Sequence, residues 1–343
     1  MCNVLRPKLF VAMLSVLGLF GSAAYAQVTL NEILARGSIN CGVNSNNLPG
    51  FSEMGEGGEF SGFDVDYCRA LAAAVFGNKK NTVNFVPLTS ANRFTALRDR
   101  DIDVLIRVTT QTLSRDSATD NGGEGANFAP TIFYDGQGFM TNVTNTDIFN
   151  VDDLVSFLSG NIVCVEPNTT TADNLAALGT GFSILEVQDI YTEYDNGFCN
   201  VATSDKSALA AGRTTLANPA NSSIFSVTIS KEPLGPVVLH GDDEWYDVVR
   251  WVVYATFFAE EHGITKSNVK SFTPSDPEEE RFLGKTGGLG AKLGLSRHWA
   301  RDVIKAVGNY KDIYDANLTA ILPRERLNKQ YVDGGLLYAP PFN

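Results

Sequence analysis

The sequence predicts an α/β protein built as two wound halves, and three observations carry the prediction. Short apolar runs of strand length alternate with stretches at helical spacing. The same order of elements occurs twice along the chain. Glycine clusters after the first occurrence, at 133–139, and glycine with proline after the second, at 230–237, as expected where extended chain passes from one unit to the next. On composition alone, reading these two places as ordinary surface loops stays open.

The first half opens with a strand at 38–43, followed by a helix at 64–76 whose Val65, Cys68, Leu71, Ala72, Val75 and Phe76 share one face and which Gly77 stops. A strand at 82–88, a helix at 91–100 and a strand from Ile102 complete it. The second half begins with a helix at 151–158 and a strand at 161–165. The polar turn at 168–171 opens a helix, and a strand at 183–187, a helix at 190–196 and a strand at 200–203 follow. Strands alternating with helices argue for parallel sheets covered on both faces. Beyond the second crossing, Trp245, Val248, Val249, Val252, Val253 and Phe257 form the apolar stripe of a helix at 242–261. After Gly263 the pattern is less regular: 274–280 reads as a charged loop, and the ending at 334–341 reads as chain held by packing of its leucine and aromatic residues.

Residues 1–26 carry Arg6 and Lys8, an apolar run at 9–20 and Ala24-Tyr25-Ala26, the pattern of a secretory signal peptide cleaved before Gln27. An N-terminal membrane anchor is the alternative, disfavoured by the short apolar run against the ~20 residues of a span. Cleavage leaves about 317 residues, enough for two cores. The formal charge of −12 becomes more negative once Arg6 and Lys8 leave, which argues against nucleic acid or an anionic membrane as partner. Cys41, Cys68, Cys164 and Cys199 remain, an even number suited to two disulfides in an oxidising compartment, with three connectivities open. Their spacing lacks the close pairs of a zinc site, and the chain has three histidines, so no metal is expected.

The polar run after the strand at 102–106 holds Thr109, Thr110, Thr112, Ser114 and Arg115. Open α/β sheets bind ligands outside the carboxyl ends of their strands. A guanidinium there offers a planar fork to a carboxylate, and a neighbouring hydroxyl donates to the same group. The alternative is a surface turn in which Arg115 pairs with Asp116.

The stretches Gly37-Ser-Ile-Asn-Cys-Gly-Val43, Gly62-Phe-Asp-Val-Asp-Tyr-Cys-Arg-Ala70, Arg93-Phe-Thr-Ala-Leu97, Ile102-Asp-Val-Leu105, Thr112-Leu-Ser-Arg-Asp116, Tyr134-Asp-Gly-Gln-Gly-Phe139 and Ser230-Lys-Glu-Pro-Leu-Gly-Pro236 together give the chain a resemblance. It resembles the periplasmic solute-binding proteins of the polar and general L-amino acid ABC importers, and its Gly334-Gly-Leu-Leu-Tyr-Ala-Pro-Pro341 ending is similar to the tail of the general subgroup. The resemblance implies a two-lobed type II, Venus flytrap fold with a mainly helical C-terminal extension. One lobe would take 27–137 and return over 234–343 with the extension, and the other would take 138–233. It also implies a monomer in the periplasm that binds an L-amino acid by hinge closure and delivers it to permease subunits, with no cofactor and no catalytic step.

Residue by residue, the resemblance implies that Arg115 clamps the ligand α-carboxylate, helped by the Thr110 hydroxyl and by backbone donors around Thr169 and Thr170 at a helix N-terminus. Asp205 and a main-chain carbonyl near Val108 would hold the α-ammonium, and the 48–51 loop, through Leu48 and Phe51, would form an apolar wall. Asp205 as a helix cap and Phe51 as a core aromatic are the alternatives. Cys41 with Cys68 and Cys164 with Cys199 would then pair within lobes, because a bond across lobes would restrain the hinge. Three departures bear on specificity. Val108 and Gln111 stand where the subgroup has asparagine and tryptophan, Lys206 follows Asp205 where glutamine is usual, and 120–125 looks inserted. A periplasmic enzyme on the same scaffold, such as an arogenate or prephenate dehydratase, and a ligand-sensing receptor subunit are the rival functions.

Overall fold

The computed structural model describes residues 28–77, 79, 81–143 and 146–343. The leader expected over 1–26 lies outside the described residues. Two five-stranded sheets organise the molecule, one per lobe. In the first, Val83–Leu88, Ile39–Asn44 and Val104–Leu105 run parallel, and Val237–Leu239 then lies antiparallel between Val104–Leu105 and Ala126–Phe128. In the second, Ser183–Glu186, Ile162–Val165 and Val201–Asp205 run parallel, with Gln137–Thr141 antiparallel between Val201–Asp205 and Ser223–Ile224. The expectation of parallel sheets therefore holds for three strands of each. The antiparallel members Val237–Leu239 and Gln137–Thr141 follow directly on crossing chain, so they enter their sheets at the end where the wound strands leave.

The crossing chain is itself a two-stranded ribbon, Phe133–Asp135 paired antiparallel with Glu232–Leu234. The two stretches at 133–139 and 230–237 are thus one paired connection and not two independent loops.

The first lobe holds the larger core. Helices Phe63–Phe76, Asp243–Glu261, Trp299–Val307 and Tyr310–Asn317 pack there, burying Tyr67, Trp245, Val252, Ile304 and Tyr314. The polar ends of these large rings are satisfied: Trp245 Nε1 donates to the Asp103 carbonyl at 2.8 Å and Tyr310 Oη to the Ile132 carbonyl at 2.9 Å. The C-terminal extension is therefore part of the lobe it covers. The second lobe packs Phe139, Leu154, Val163, Leu175, Val201 and Phe225 around its sheet.

Both disulfides join cysteines of one lobe, Cys41–Cys68 and Cys164–Cys199. With sequence separations of 27 and 35, each contributes about 4 kcal/mol in the chain-entropy model. Cys199 lies two residues before Val201–Asp205 and not on it. The charged stretch at 274–280, expected as loop, contains most of a short helix, Pro277–Phe282. Asp276 starts it, its Oδ1 accepting from the Glu278 and Glu279 amides at 2.8 and 2.9 Å, with Pro277 in the first turn where no amide is needed. The tail is ordered through Leu337 and Phe342, both buried, while Leu336 and Tyr338 remain half exposed. Among the described residues no helix is long and apolar enough to cross a membrane.

Candidate functional site

The cleft between the lobes is assembled at the carboxyl ends of strands from both sheets. On the first lobe the chain leaves Val104–Leu105 and bends at Val108, whose φ is +38°. Asp64 Oδ2 accepts from the Val108 amide at 3.0 Å, and the Thr109 hydroxyl donates to the Arg107 carbonyl at 3.0 Å. Thr110 then bridges to Leu234 of the crossing ribbon. Thr112 caps the one-turn helix Leu113–Asp116 by accepting from the Arg115 amide. This turn folds the Arg115 guanidinium back, so that Nη1 donates to the Thr110 carbonyl at 2.7 Å and Cζ lies 5.6 Å from the centre of the Phe94 ring. Arg115 is buried and faces the cleft, so the surface-turn alternative does not apply.

On the second lobe, Ile162–Val165 ends at Glu166, and Thr169 starts the helix Thr170–Ala177, its Oγ1 accepting from the Ala172 amide at 3.1 Å and donating to the Glu166 carbonyl at 2.6 Å. Thr170 and Thr171 bring that helix's first turn to the cleft. Asp205, last in Val201–Asp205, also faces it. Asp205 occupies the N-cap position of the helix Lys206–Arg213 but makes no side-chain capping bond. Asp135 of the crossing ribbon supplies it, accepting from the Ser207 amide at 3.1 Å.

Electrostatically Asp205 is pressed toward its neutral form. Burial, with the charges of Asp135 and Glu232, holds the Asp205 carboxyl well above its ordinary range, against the opposing pull of Arg115 and Arg93. Burial lowers Arg115, while Glu232 and Asp205 act to keep its charge. Arg93, also buried, has its Nε without a partner although Nη2 donates to the Asn168 carbonyl at 3.3 Å.

Contacts across the cleft bring the lobes together. Arg107 Nη2 pairs with Glu166 at 2.8 Å, Asn46 Nδ2 donates to the Gln188 carbonyl at 2.7 Å, and Ser90 Oγ to the Pro167 carbonyl at 2.7 Å. The Arg93–Asn168 bond and a 3.5 Å approach of the Thr110 and Thr170 hydroxyls add to these. The space left between the lobes is about 60 Å³.

Seven of the eight residues expected from the sequence line this one space: Leu48, Val108, Thr110, Arg115, Thr169, Thr170 and Asp205. Phe51 does not. The turn closed by the Leu48–Ser52 bridge leaves Leu48 at the cleft and sends Phe51 into the first-lobe core, 5.5 Å from Phe133 and 6.2 Å from Phe63 between ring centres. Lys206 and Gln111 turn away as well. The Lys206 ammonium donates to the Ser226 carbonyl at 2.7 Å, and Gln111 lines a separate groove with Tyr134, Tyr246 and Tyr254. Sequence reasoning missed Arg93, Arg107, Glu166 and Tyr191, which also face the cleft. Arg107 was available by the same rule that drew out Arg115, since it too follows the strand end. His262, Asp276 and Glu279 form the one group of three potential metal ligands among the described residues. Both Glu279 oxygens are engaged, Oε1 with His262 at 3.0 Å and Oε2 with Ser275 at 2.6 and 3.0 Å.

The model of the bacterial extracellular solute-binding proteins, family 3, matches residues 39–273. The chain belongs to that family. Among its relatives, the family 3 protein described here is 42% identical over 94% of its length, and 94% of the relative's, to the general L-amino acid-binding periplasmic protein AapJ of Rhizobium johnstonii. It is 40% identical over 98% of its length, and all of the relative's, to the glutamate/glutamine/aspartate/asparagine-binding protein BztA of Rhodobacter capsulatus. A periplasmic binding protein of an ABC transporter from Brucella ovis, solved with glutathione bound, superposes with a TM-score of 0.84 at 40% identity, over 92% of this chain and 99% of that one.

Proposed function

We propose that this family 3 protein captures an L-amino acid between its lobes in the periplasm and delivers it to the permease subunits of an ABC importer. The observation that carries the reading is that Arg115 of one lobe and Asp205 of the other face a single space. In this reading Arg115, the Thr110 hydroxyl and the amides at Thr169 and Thr170 receive the α-carboxylate, and Asp205 with the Val108 carbonyl receives the α-ammonium. Only a zwitterion touching both lobes gains from closure, so it shifts the open and closed populations. The narrow space means that a ligand enters by the lobes parting about the ribbon of Phe133–Asp135 and Glu232–Leu234.

Arg93 extends the reading to the ligand side chain. Its buried, unpartnered Nε is a charged donor suited to an acidic or amide end, with Leu48 against the aliphatic part. The relatives named for general L-amino acids and for glutamate, glutamine, aspartate and asparagine support this, as does glutathione in the Brucella protein, because its γ-glutamyl end carries an α-amino and an α-carboxylate group. The lobes are read as 27–137 with 234–343, and 138–233, in a monomer released by cleavage after Ala26. The raised Asp205 carboxyl would suit a dehydratase acid, but burial and the Asp135 and Glu232 charges raise it without catalysis, and an arriving ammonium would draw it back toward the ionised form. A thermal-shift screen of residues 27–343 against the common L-amino acids, with product analysis on arogenate and prephenate, tests the reading. Stabilisation by an L-amino acid without turnover is expected; turnover, or no stabilisation by any of them, refutes it.

A further inference from the structure

Val108 holds an unfavourable backbone. A β-branched residue at φ +38° is an outlier, because its Cβ crowds the chain there. The bend separates two cleft residues. Before it, Arg107 runs to the Leu88 carbonyl at 2.8 Å and across to Glu166. After it, Thr110 turns to pair with Leu234 and approach Thr170. The group that holds the bend is Asp64, in the first turn of Phe63–Phe76, whose Oδ2 accepts from the Val108 amide at 3.0 Å. Asp64 is buried and does not line the cleft. Burial pushes its carboxyl up to about 7, against the pull of the Val108 amide and the Arg107 guanidinium.

We infer that Asp64 is a positioning residue of the ligand site: its carboxylate fixes the left-handed bend at Val108 that sends Arg107 and Thr110 to their places around the cleft. This rests on the reading of the cleft as the ligand site and adds a group that never touches the ligand. A carboxylate serving only the helix N-terminus would instead act on stability, and Val108 would be indifferent to it.

Four variants decide the matter: Asp64→Ala, Asp64→Asn, Val108→Gly and the double variant Asp64→Ala with Val108→Gly. Each is titrated with L-glutamate by calorimetry, and each is followed ligand-free by hydrogen–deuterium exchange over 106–111. Asp64→Ala is expected to weaken L-glutamate binding at least tenfold and to speed exchange over 106–111. Asp64→Asn keeps an oxygen that accepts from the Val108 amide and stays within about threefold of the parent. Glycine takes positive φ at little cost, so Val108→Gly added to Asp64→Ala recovers half or more of the loss on a logarithmic scale. Equal losses in Asp64→Ala and Asp64→Asn, or no recovery in the double variant, overturn the inference. If Asp64→Ala does not fold, restored folding in the double variant supports the link to Val108 and continued failure refutes it. If the parent itself does not bind L-glutamate, the ligand reading is at fault, and exchange alone decides for Asp64: faster in Asp64→Ala and not in Asp64→Asn supports it, no change in either refutes it.

Discussion

Asp135 accepts the Ser207 amide at 3.1 Å, so the helix Lys206–Arg213 is capped from the crossing ribbon and not by the aspartate that precedes it. Two carboxyls next to one another in the fold thereby divide two tasks: Asp135 ties the ribbon to the second lobe, and Asp205 is left facing the cleft. The division also explains the electrostatic strain, since Asp135 is the charge that, after burial, does most to raise Asp205.

Exchanging the two carboxyls in turn separates these tasks. Asp205→Asn removes the charge that would meet an α-ammonium and is expected to weaken L-amino acid binding at least tenfold, about 1.4 kcal/mol. Asp135→Ala removes a cap and is expected to cost about 0.5–2 kcal/mol of stability. Calorimetric titration and chemical denaturation of both variants check the pair; equal affinity in Asp205→Asn and the parent would return Asp205 to a structural role.

The pH dependence follows from the raised carboxyls. Asp64 moves from 3.8 to about 7, so its folded form keeps a proton that the unfolded form has lost across that window. Its contribution is fully present below pH 3.8 and is lost as pH rises through about 7, because the folded state binds more protons there. Asparagine does not titrate. The stability of Asp64→Asn relative to the parent is therefore expected to increase between pH 4 and pH 8, by a few kcal/mol at most. Paired thermal melts at several pH values measure it, and a difference that stays flat or falls would contradict the assignment.

Arg115 makes a stronger demand than charge alone. It donates to the Thr110 carbonyl while lying over Phe94, which fixes its fork. Arg115→Ala is expected to cost about 2–5 kcal/mol of binding while the protein stays folded, and Arg115→Lys to recover little, because an ammonium lacks the planar fork. Circular dichroism and titration of both variants provide the check.

The Arg107–Glu166 pair joins the lobes at 2.8 Å with Arg107 buried. Glu166→Gln is expected to favour the open form without ligand, since a buried guanidinium loses the opposite charge it meets across the cleft. Small-angle scattering of the ligand-free protein should show a larger radius of gyration for the variant; an unchanged value would place closure elsewhere.

Periodicity made most of the fold legible, because Val65, Cys68, Leu71 and Ala72 can share a helix face in only one way and all four are buried. The position of Arg115 was legible from one rule about strand ends. What periodicity does not carry is direction. Leu48 and Phe51 are both apolar and both buried, and only the turn between them decides which faces the cleft. Lys206 and Gln111 stand beside cleft residues in sequence but point elsewhere. The Arg107–Glu166 pair spans 59 residues and two lobes, beyond any local pattern. The helix Pro277–Phe282 carries a local signal, since Asp276 followed by Pro277 is a helix start, but the acidic run behind it reads as a charged loop.

One calorimetric experiment tests the ligand site most directly: residues 27–343 and their Arg115→Ala variant are titrated with L-glutamate, L-glutamine, L-aspartate and L-asparagine. Saturable binding of one molecule per chain is expected for at least one of the four, with loss of at least thirtyfold in Arg115→Ala, about 2 kcal/mol. No binding by any of the four, or an affinity in Arg115→Ala within about threefold of the parent, well under the tenfold that 1.4 kcal/mol represents, would contradict it.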